Sequence, residues 1–259
     1  MLLSNTRVIG TGSHIVLCLN GWFGHSDDWG PWEQFLDTES FRWVFPDYRG
    51  YGRRIDEDGD FTLDEITNDL LQMLEELGGQ TSMSILGHSM GGVFAQHLIS
   101  KMGRGQITSF VGISPVPASG SPMPAEQRHL FESAETEIGS RRMIIDITTG
   151  QRLSDRWLDD MARATRDNST DYVVGQYFRA WADCDFLNEI PNQEVPALII
   201  VGAYDPAVTS ESVRNSYGKT FRDLTTIEFP DSGHYAMYEA PVRLATEIEN
   251  FLKTHLLNP

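Results

Sequence analysis

Short, mainly apolar segments alternate with longer helical patterns along most of this 259-residue chain. Segments of five or six residues that lack a polar face are typical of strands in a parallel sheet, which helices cover on both sides. They lie at 14–19, 42–46, 82–86, 108–113, 197–201 and 225–229. The alternation predicts an α/β fold, with a mostly parallel sheet flanked by helices. Functional residues are then expected at the carboxyl ends of the strands.

The alternation stops between residues 116 and 190, where helical patterns and many aromatic side chains occur without a credible strand. We therefore predict an inserted helical cap over residues 116–190, and a core made of residues 1–115 and 191–259. Neither a Pro/Ser-rich linker nor a repeat divides the core. A chain of this length, 40% apolar, can bury about three quarters of its unfolded surface and needs no metal or disulfide to fold.

The formal net charge is -17, from 37 acidic and 20 basic residues. An acidic surface repels nucleic acid and anionic lipid, so neither is an expected partner. The first seven residues lack the pattern of a signal peptide, and apolar runs stay below the roughly 18 residues of a membrane span. These features predict a cytoplasmic protein that acts on a small molecule, and they leave the oligomeric state open.

A serine flanked by glycines stands between a predicted strand and a predicted helix. Residues 87–92 read Gly-His-Ser-Met-Gly-Gly, which is the pattern of a nucleophile elbow. Gly87 and Gly91 let the strand and the helix approach closely, while the hydroxyl of Ser89 projects at the helix N-terminus. The backbone N–H of Met90 and the helix dipole favour an oxyanion there. Ser89 is the predicted nucleophile.

The elbow and its setting resemble the α/β-hydrolase superfamily, and the resemblance covers nearly the whole chain. Membership implies a catalytic triad in the order nucleophile, acid, histidine. Asp205 follows the segment 197–201 through a glycine turn, which resembles the family's acid loop. Asp183 and Asp185 are rival acids, but they lie in the predicted cap and follow no predicted strand. Asp205 is therefore the expected acid.

The expected base is His234. It lies in the sequence Asp-Ser-Gly-His-Tyr after the last apolar segment, with Glu239 and Pro241 beyond it, and this arrangement resembles the family's histidine loop. The other six histidines lie in predicted strands or helices, in the cap, in the elbow or in the oxyanion loop. In such a triad the histidine accepts the serine proton, while the acid fixes the histidine tautomer and stabilises the imidazolium.

The sequence Asn-Gly-Trp-Phe-Gly at 20–24 stands where the family usually has His-Gly-x-x-Gly. The resemblance implies that the N–H groups of Trp22 and Met90 form the oxyanion hole. Asn20 replaces the usual histidine, and we expect its amide to support the loop by a hydrogen bond. Further on, Arg54 replaces a serine of the family's Asp-x-Arg-Gly-x-Gly-x-Ser turn. With Arg53 it is expected to form a solvated charge cluster.

Aromatic and apolar side chains are expected to dominate the substrate pocket, which favours a hydrophobic acyl or aryl substrate. The two cysteines lie far apart in the sequence, and no two histidines have the spacing of metal ligands. We therefore expect neither a metal nor another cofactor. The predicted pocket and substrate-binding residues, besides the oxyanion-hole residues Trp22 and Met90, are Phe23, His88, Phe178, Trp181 and Tyr235.

The first functional hypothesis is hydrolysis of a carboxylic ester or lactone through an acyl-enzyme. Hydrolysis of a carbon–carbon bond remains open, because the same triad supports it. A cofactor-independent dioxygenase of the same fold would use His234 and Asp205 without acylating Ser89. A binding protein in which turnover is incidental is a third alternative. Dehalogenases and epoxide hydrolases of this fold need a carboxylate nucleophile, which Ser89 does not supply.

Overall fold

The structure is a computed structural model that describes residues 2–78, 82–103, 105–190 and 192–256. Within these residues, seven strands form one sheet in the order β1-β3-β2-β4-β5-β6-β7. Neighbouring strands are parallel, except that β1 runs antiparallel to β3. The strands are β1 (Thr6–Ile9), β2 (His14–Leu19), β3 (Phe41–Pro46), β4 (Met83–His88), β5 (Ile107–Ile113), β6 (Ala197–Gly202) and β7 (Leu224–Phe229).

The sheet confirms the predicted α/β fold, and each of the six predicted strands is present with small shifts at its ends. Every residue of β2, β4 and β6 is buried, which is why these strands appear in the sequence as continuous apolar runs. The sequence analysis missed β1. This strand has four residues, pairs with only one neighbour at the edge of the sheet, and includes the half-exposed Arg7, so it carries no apolar signal.

The helices of the described residues pack around this sheet. Helix α2 follows β4 and contacts β2, β4, β5 and α1, while α10 contacts β5. Among these described helices, none combines the length and apolar character that crossing a membrane would require. They are α1 (Leu63–Glu76), α2 (Met90–Lys101), α3 (Ala125–Ser133), α4 (Ile138–Thr148), α5 (Asp155–Asp167), α6 (Asp171–Ala182), α7 (Ser210–Asn215), α8 (Tyr217–Thr220), α9 (Ala236–Glu239) and α10 (Pro241–Leu256).

Helices α3 to α6 lie between β5 and β6, within the stretch predicted to form the cap. They contact the core through specific hydrogen bonds: Trp22 Nε1 donates to Val174 O at 2.8 Å, and Tyr177 Oη donates to Arg49 O at 3.1 Å. The division into core and cap stays a prediction. Its second boundary falls next to residue 191, which lies outside the described residues.

The structure corrects the expectation that Arg53 and Arg54 form a solvated cluster. The Arg54 side chain is only 5% exposed, and its Nη2 lies 2.7 Å from both Asp69 Oδ2 and Glu57 Oε2. Arg53 does remain partly exposed and pairs with Asp27. A guanidinium in place of the family's serine thus forms a largely buried ion pair with helix α1, and the sequence could not show this because Asp69 lies 15 residues away.

Candidate active site

Ser89 occupies the sharp turn between β4 and α2, with φ 52° and ψ −118°. Such a positive φ strains a residue with a side chain and is a common feature of functional sites. A Cβ added to Gly87 would lie 2.5 Å from Gly91 O, and one added to Gly91 would lie 2.1 Å from Leu19 O. Both positions therefore require glycine. The local sequence forces the strand and the helix together and places the serine at the bend.

His234 and Asp205 are joined by a hydrogen bond of 2.6 Å between Nδ1 and Oδ2. Both side chains are buried. The other carboxylate oxygen, Oδ1, accepts from the backbone N–H groups of Ala207 at 2.9 Å and Val208 at 3.3 Å. Because a carboxylate can only accept, the shared proton belongs to His234 Nδ1, which leaves Nε2 free to accept a proton. Loops at the carboxyl ends of β6 and β7 supply the two residues.

Ser89 and His234 line the same cavity. No hydrogen bond joins their side chains in this described part of the chain. Rotation of a serine hydroxyl about χ1 moves its oxygen between three staggered positions, so small adjustments change this contact. Catalytic hydrogen bonds in this class of site often tighten only when the substrate is in place. The structure thus places both groups in the wall of one cavity.

Two backbone N–H groups adjoin the serine. Met90 is the first residue of α2, and Trp22 lies in the loop after β2. In the described structure neither N–H donates a backbone hydrogen bond, so both are available to an oxyanion. A Cβ added to Gly21 would lie 3.2 Å from Ser89 Cβ, which shows how closely the loop approaches the serine.

The loop that carries Trp22 is held from both of its ends. Asn20 Nδ2 donates to Gly24 O at 2.7 Å, which is the support expected from the residue that replaces the family's histidine. Gly24 N donates back to Gly21 O at 3.0 Å, and Tyr51 Oη donates to Trp22 O at 2.7 Å. The Trp22 peptide is therefore oriented before any substrate arrives, which is what an oxyanion donor requires.

The cavity over Ser89 has an empty volume of about 950 Å³, which includes its opening to solvent. Its wall combines loops of the core with helices of the predicted cap, and most of the side chains in it are apolar. This composition suits a small substrate with hydrophobic groups. The apolar and aromatic residues in the wall are Trp22, Phe23, Trp29, Val116, Pro117, Met123, Phe131, Ile144, Trp181, Ala207, Val208, Tyr235 and Met237.

Most of the predicted pocket residues lie in this wall, but Met90 and Phe178 do not. Phe178 is 1% exposed, and its ring packs against Trp22, with the ring centroids 5.4 Å apart. Trp181, one helical turn further along α6, does line the cavity. Helical spacing does not determine which of two neighbouring aromatic residues faces the cavity and which packs behind it, so the role of Phe178 in substrate binding stays a prediction.

His88 is held beside His234 as a neutral imidazole. Burial is the main reason that its pKa falls to about 3, and the proximity of His234 adds to the effect. Its Nε2 lies 3.0 Å from the backbone oxygen of His234. Since the neighbouring atom is a carbonyl oxygen, Nε2 is the donor. The residue that precedes the predicted nucleophile thus fixes the backbone of the residue that is expected to deprotonate it.

The sequence analysis missed several polar groups in the cavity wall. Asp28, a half-buried residue of the loop after β2, accepts a hydrogen bond from Tyr238 Oη, and burial raises the pKa of its carboxyl group. Gln127 and Thr148 come from the predicted cap. Asp28 could have been noticed from its place in the oxyanion loop. The cap residues gave no signal, because they belong to ordinary helical patterns.

Among the described residues, no group of three or more His, Cys, Asp or Glu side chains converges as a metal site would.

Comparison with known proteins places this geometry in context. A model of the alpha/beta hydrolase family matches residues 16–247. A bifunctional esterase/perhydrolase of Acinetobacter calcoaceticus is 23% identical over 240 residues, which cover 85% of this chain and 84% of that protein.

Two solved structures show the same fold. An esterase from Exiguobacterium antarcticum aligns with a TM-score of 0.83 at 19% identity, over 96% of this chain and 94% of that one. The enol-lactonase from Burkholderia xenovorans LB400 aligns with a TM-score of 0.82 at 20% identity, over 96% of this chain and 95% of that one. At these identities, the structural similarity is evidence for the architecture alone.

Proposed function

Because this chain belongs to the alpha/beta hydrolase family, we propose that it is a serine hydrolase that cleaves small hydrophobic carboxylic esters or lactones through an acyl-enzyme. One observation carries the proposal. Ser89 at its strained bend and His234, oriented by Asp205 at 2.6 Å, open into one largely apolar cavity. The relatives named as an esterase/perhydrolase and as an enol-lactonase support the ester class.

Acylation begins when Ser89 Oγ attacks the substrate carbonyl carbon and its proton passes to His234 Nε2. The carbonyl oxygen becomes an oxyanion, which the N–H groups of Trp22 and Met90 bind. Asp205 stabilises the imidazolium through Nδ1. The bond between the carbonyl carbon and the leaving oxygen then breaks, and His234 transfers its proton to that oxygen. An alcohol leaves and the acyl group stays on Ser89, or a lactone ring opens and remains attached whole.

Deacylation repeats these steps with water as the nucleophile. His234 Nε2 accepts a proton from the water as its oxygen attacks the acyl carbon, and the same two N–H groups bind the new oxyanion. The bond to Ser89 Oγ breaks, and His234 returns its proton to that oxygen. The products are a carboxylic acid and the regenerated serine. This chain supplies each proton acceptor and donor in the cycle.

The test combines covalent labelling with turnover. A fluorophosphonate probe is expected to label the wild-type protein, and p-nitrophenyl acetate is expected to be hydrolysed. Ser89→Ala should abolish both, because it removes the only atom that becomes acylated. Ser100→Ala is the matched control, since Ser100 lies near the other end of helix α2 and is not among the residues that line the cavity, and this variant should keep both activities. Labelling that persists in Ser89→Ala would show that the nucleophile lies elsewhere.

The same variants distinguish the alternatives. Oxygen consumption with an oxidisable substrate that survives Ser89→Ala would favour a cofactor-independent dioxygenase. Cleavage of a β-diketone with no turnover of esters would favour a carbon–carbon bond hydrolase. Binding of small molecules without labelling or turnover would favour a binding protein. Labelling and ester turnover that are lost together in Ser89→Ala support the proposed ester hydrolase.

A further inference from the structure

Three consecutive backbone N–H groups at the base are held by two acceptors. The N–H groups of Gly233 and Tyr235 donate to Glu239 Oε2 at 2.9 Å and Oε1 at 3.2 Å. Between them, His234 N donates to Thr148 O at 3.0 Å. Glu239 belongs to the core helix α9, whereas Thr148 ends helix α4 of the predicted cap. The backbone of His234 is therefore fixed from the core and from the predicted cap at once.

The carboxylate of Glu239 receives its counter-charge from the same end of α4. Its side chain is only 3% exposed, and Arg152 Nη2 forms an ion pair with Oε2. A carboxylate removed from water requires hydrogen bonds and a positive partner. Glu239 has two backbone donors and one guanidinium, which together satisfy both of its oxygens. Removal of Arg152 would leave this carboxylate buried without its charge partner.

Residues 148–152, which we call the α4 exit segment, also contact the loop that carries the acid. The Arg152 guanidinium lies 4.4 Å from the centre of the Tyr204 ring, and Tyr204 directly precedes Asp205. Gly150 packs so tightly against this tyrosine that an added Cβ would lie 2.8 Å from Tyr204 Cβ. One short segment of the predicted cap thus touches both loops whose side chains form the His234–Asp205 hydrogen bond.

We propose that Arg152 and Glu239 are positioning residues for His234, and that seating of the α4 exit segment aligns the base with Asp205 and Ser89. This inference rests on the proposed hydrolase function. If the segment moved away from the core, the histidine loop would lose Thr148 O, the acceptor of the His234 N–H. At the same time Glu239, the acceptor of the two neighbouring N–H groups, would lose its counter-ion Arg152. Closure of the cavity and alignment of the base are then one event.

The kinetic test uses Arg152→Ala, Glu239→Gln and the double variant with p-nitrophenyl acetate, a substrate too small to depend on cap contacts. Misplacing a catalytic group by about 1 Å can cost about 100-fold, so kcat should fall about 10- to 100-fold, with KM changed by less than about twofold. The double variant should be no slower than Glu239→Gln, because the pair acts as one unit. Arg152→Lys should restore part of kcat.

Arg142→Ala is the matched control. Arg142 lies on helix α4, just before the α4 exit segment, and it also forms ion pairs, with Asp155 and Asp159, but neither pair touches a catalytic loop. This variant should keep the wild-type kcat. Melting temperatures of all variants separate a loss of folding from a loss of alignment. Additive effects of Arg152→Ala and Glu239→Gln, or a folded Arg152→Ala with the wild-type kcat, would overturn the proposal.

A second measurement does not depend on turnover. The proton shared by His234 Nδ1 and Asp205 should give a strongly deshielded ¹H NMR resonance in the wild type, and Arg152→Ala should weaken or broaden it. Loss of the resonance in Arg152→Ala, together with a wild type that shows the resonance but turns over no ester, would support the positioning role and refute the proposed function. An unchanged resonance and kcat in Arg152→Ala, beside normal labelling of Ser89, would refute the positioning role and leave the function intact.

Discussion

Replacement of Asp205 by asparagine tests the candidate site most directly, because the structure dictates how the new amide must lie. In the wild type Oδ1 accepts from the N–H groups of Ala207 and Val208, and Oδ2 faces His234 Nδ1. In Asp205→Asn the amide oxygen must take the place of Oδ1, since an NH₂ group there would oppose two donors. The NH₂ group then faces His234. Nδ1 must therefore accept, the ring proton moves to Nε2, and the base cannot take the proton of Ser89.

The size of the effect follows from the cost of the reversed amide. Turning the asparagine over would place its amide oxygen opposite His234 Nδ1–H and restore that acceptor. The N–H groups of Ala207 and Val208 would then be buried without an acceptor, which costs about 1–3 kcal/mol each. A penalty of about 2–6 kcal/mol lowers the population of the productive tautomer by a factor of about 30 to about 3 × 10⁴. The variant also loses the negative charge that stabilises the imidazolium. We therefore expect kcat/KM to fall about 10⁴-fold, which is about 5.5 kcal/mol.

The assay measures kcat/KM with p-nitrophenyl acetate and the rate of fluorophosphonate labelling, both of which should fall together in Asp205→Asn. Asp183→Asn is the matched control. Asp183 is a rival acid by sequence, but it pairs with Arg128 at 2.6 Å on the predicted cap, so this variant should keep full activity. Melting temperatures verify that both proteins are folded. Less than about a tenfold loss in folded Asp205→Asn would refute the tautomer argument and give the acid role to another carboxylate.

Three further outcomes follow from buried groups. The pKa of His88, lowered to about 3 mainly by burial, means that its protonation opposes folding. The free energy of unfolding should therefore fall as the pH drops below the ordinary histidine pKa of 6.5, and urea titrations should show a shallower fall in His88→Asn. Arg54→Met should lower the free energy of unfolding by about 3 kcal/mol in the same assay. This value is the low end for a buried ion pair, because Arg49 still contacts Asp69. An unchanged free energy of unfolding would show that the pair is not desolvated. Gly91→Ala should lower stability by about 3 kcal/mol or more, whereas Gly139→Ala, exposed in the first turn of α4 with open space around it, should not lower stability, because alanine favours a helix over glycine. Equal melting temperatures of the two variants would contradict the predicted clash.

The parts of the site that the sequence predicted depend on local patterns. The elbow requires Gly87 and Gly91 beside the serine, and the structure shows backbone atoms where their side chains would be. Asp205 and His234 each follow a buried strand, and strands of a parallel sheet end at one edge. The structure accordingly brings the two side chains within 2.6 Å. Their assigned roles in catalysis remain proposals that the variants test.

The parts that the sequence could not predict depend on packing between distant segments. Phe178 and Trp181 share a helix and an aromatic character, yet only Trp181 reaches the cavity. Arg54 looked like a surface charge until the fold placed Asp69 beside it. The partner of Glu239 lies 87 residues earlier in the chain, where Arg152 resembles any other polar residue after a helix.

The sequence alone determined the alternation of strands and helices and the glycine-flanked bend, because each is encoded by neighbouring residues. Its resemblance to the family implied the order of the candidate triad. Only the tertiary structure decided which cap side chains face Ser89, which charges are buried and what holds the base in place. These features follow from how the segments pack in three dimensions, and no local pattern specifies a contact between residues tens of positions apart.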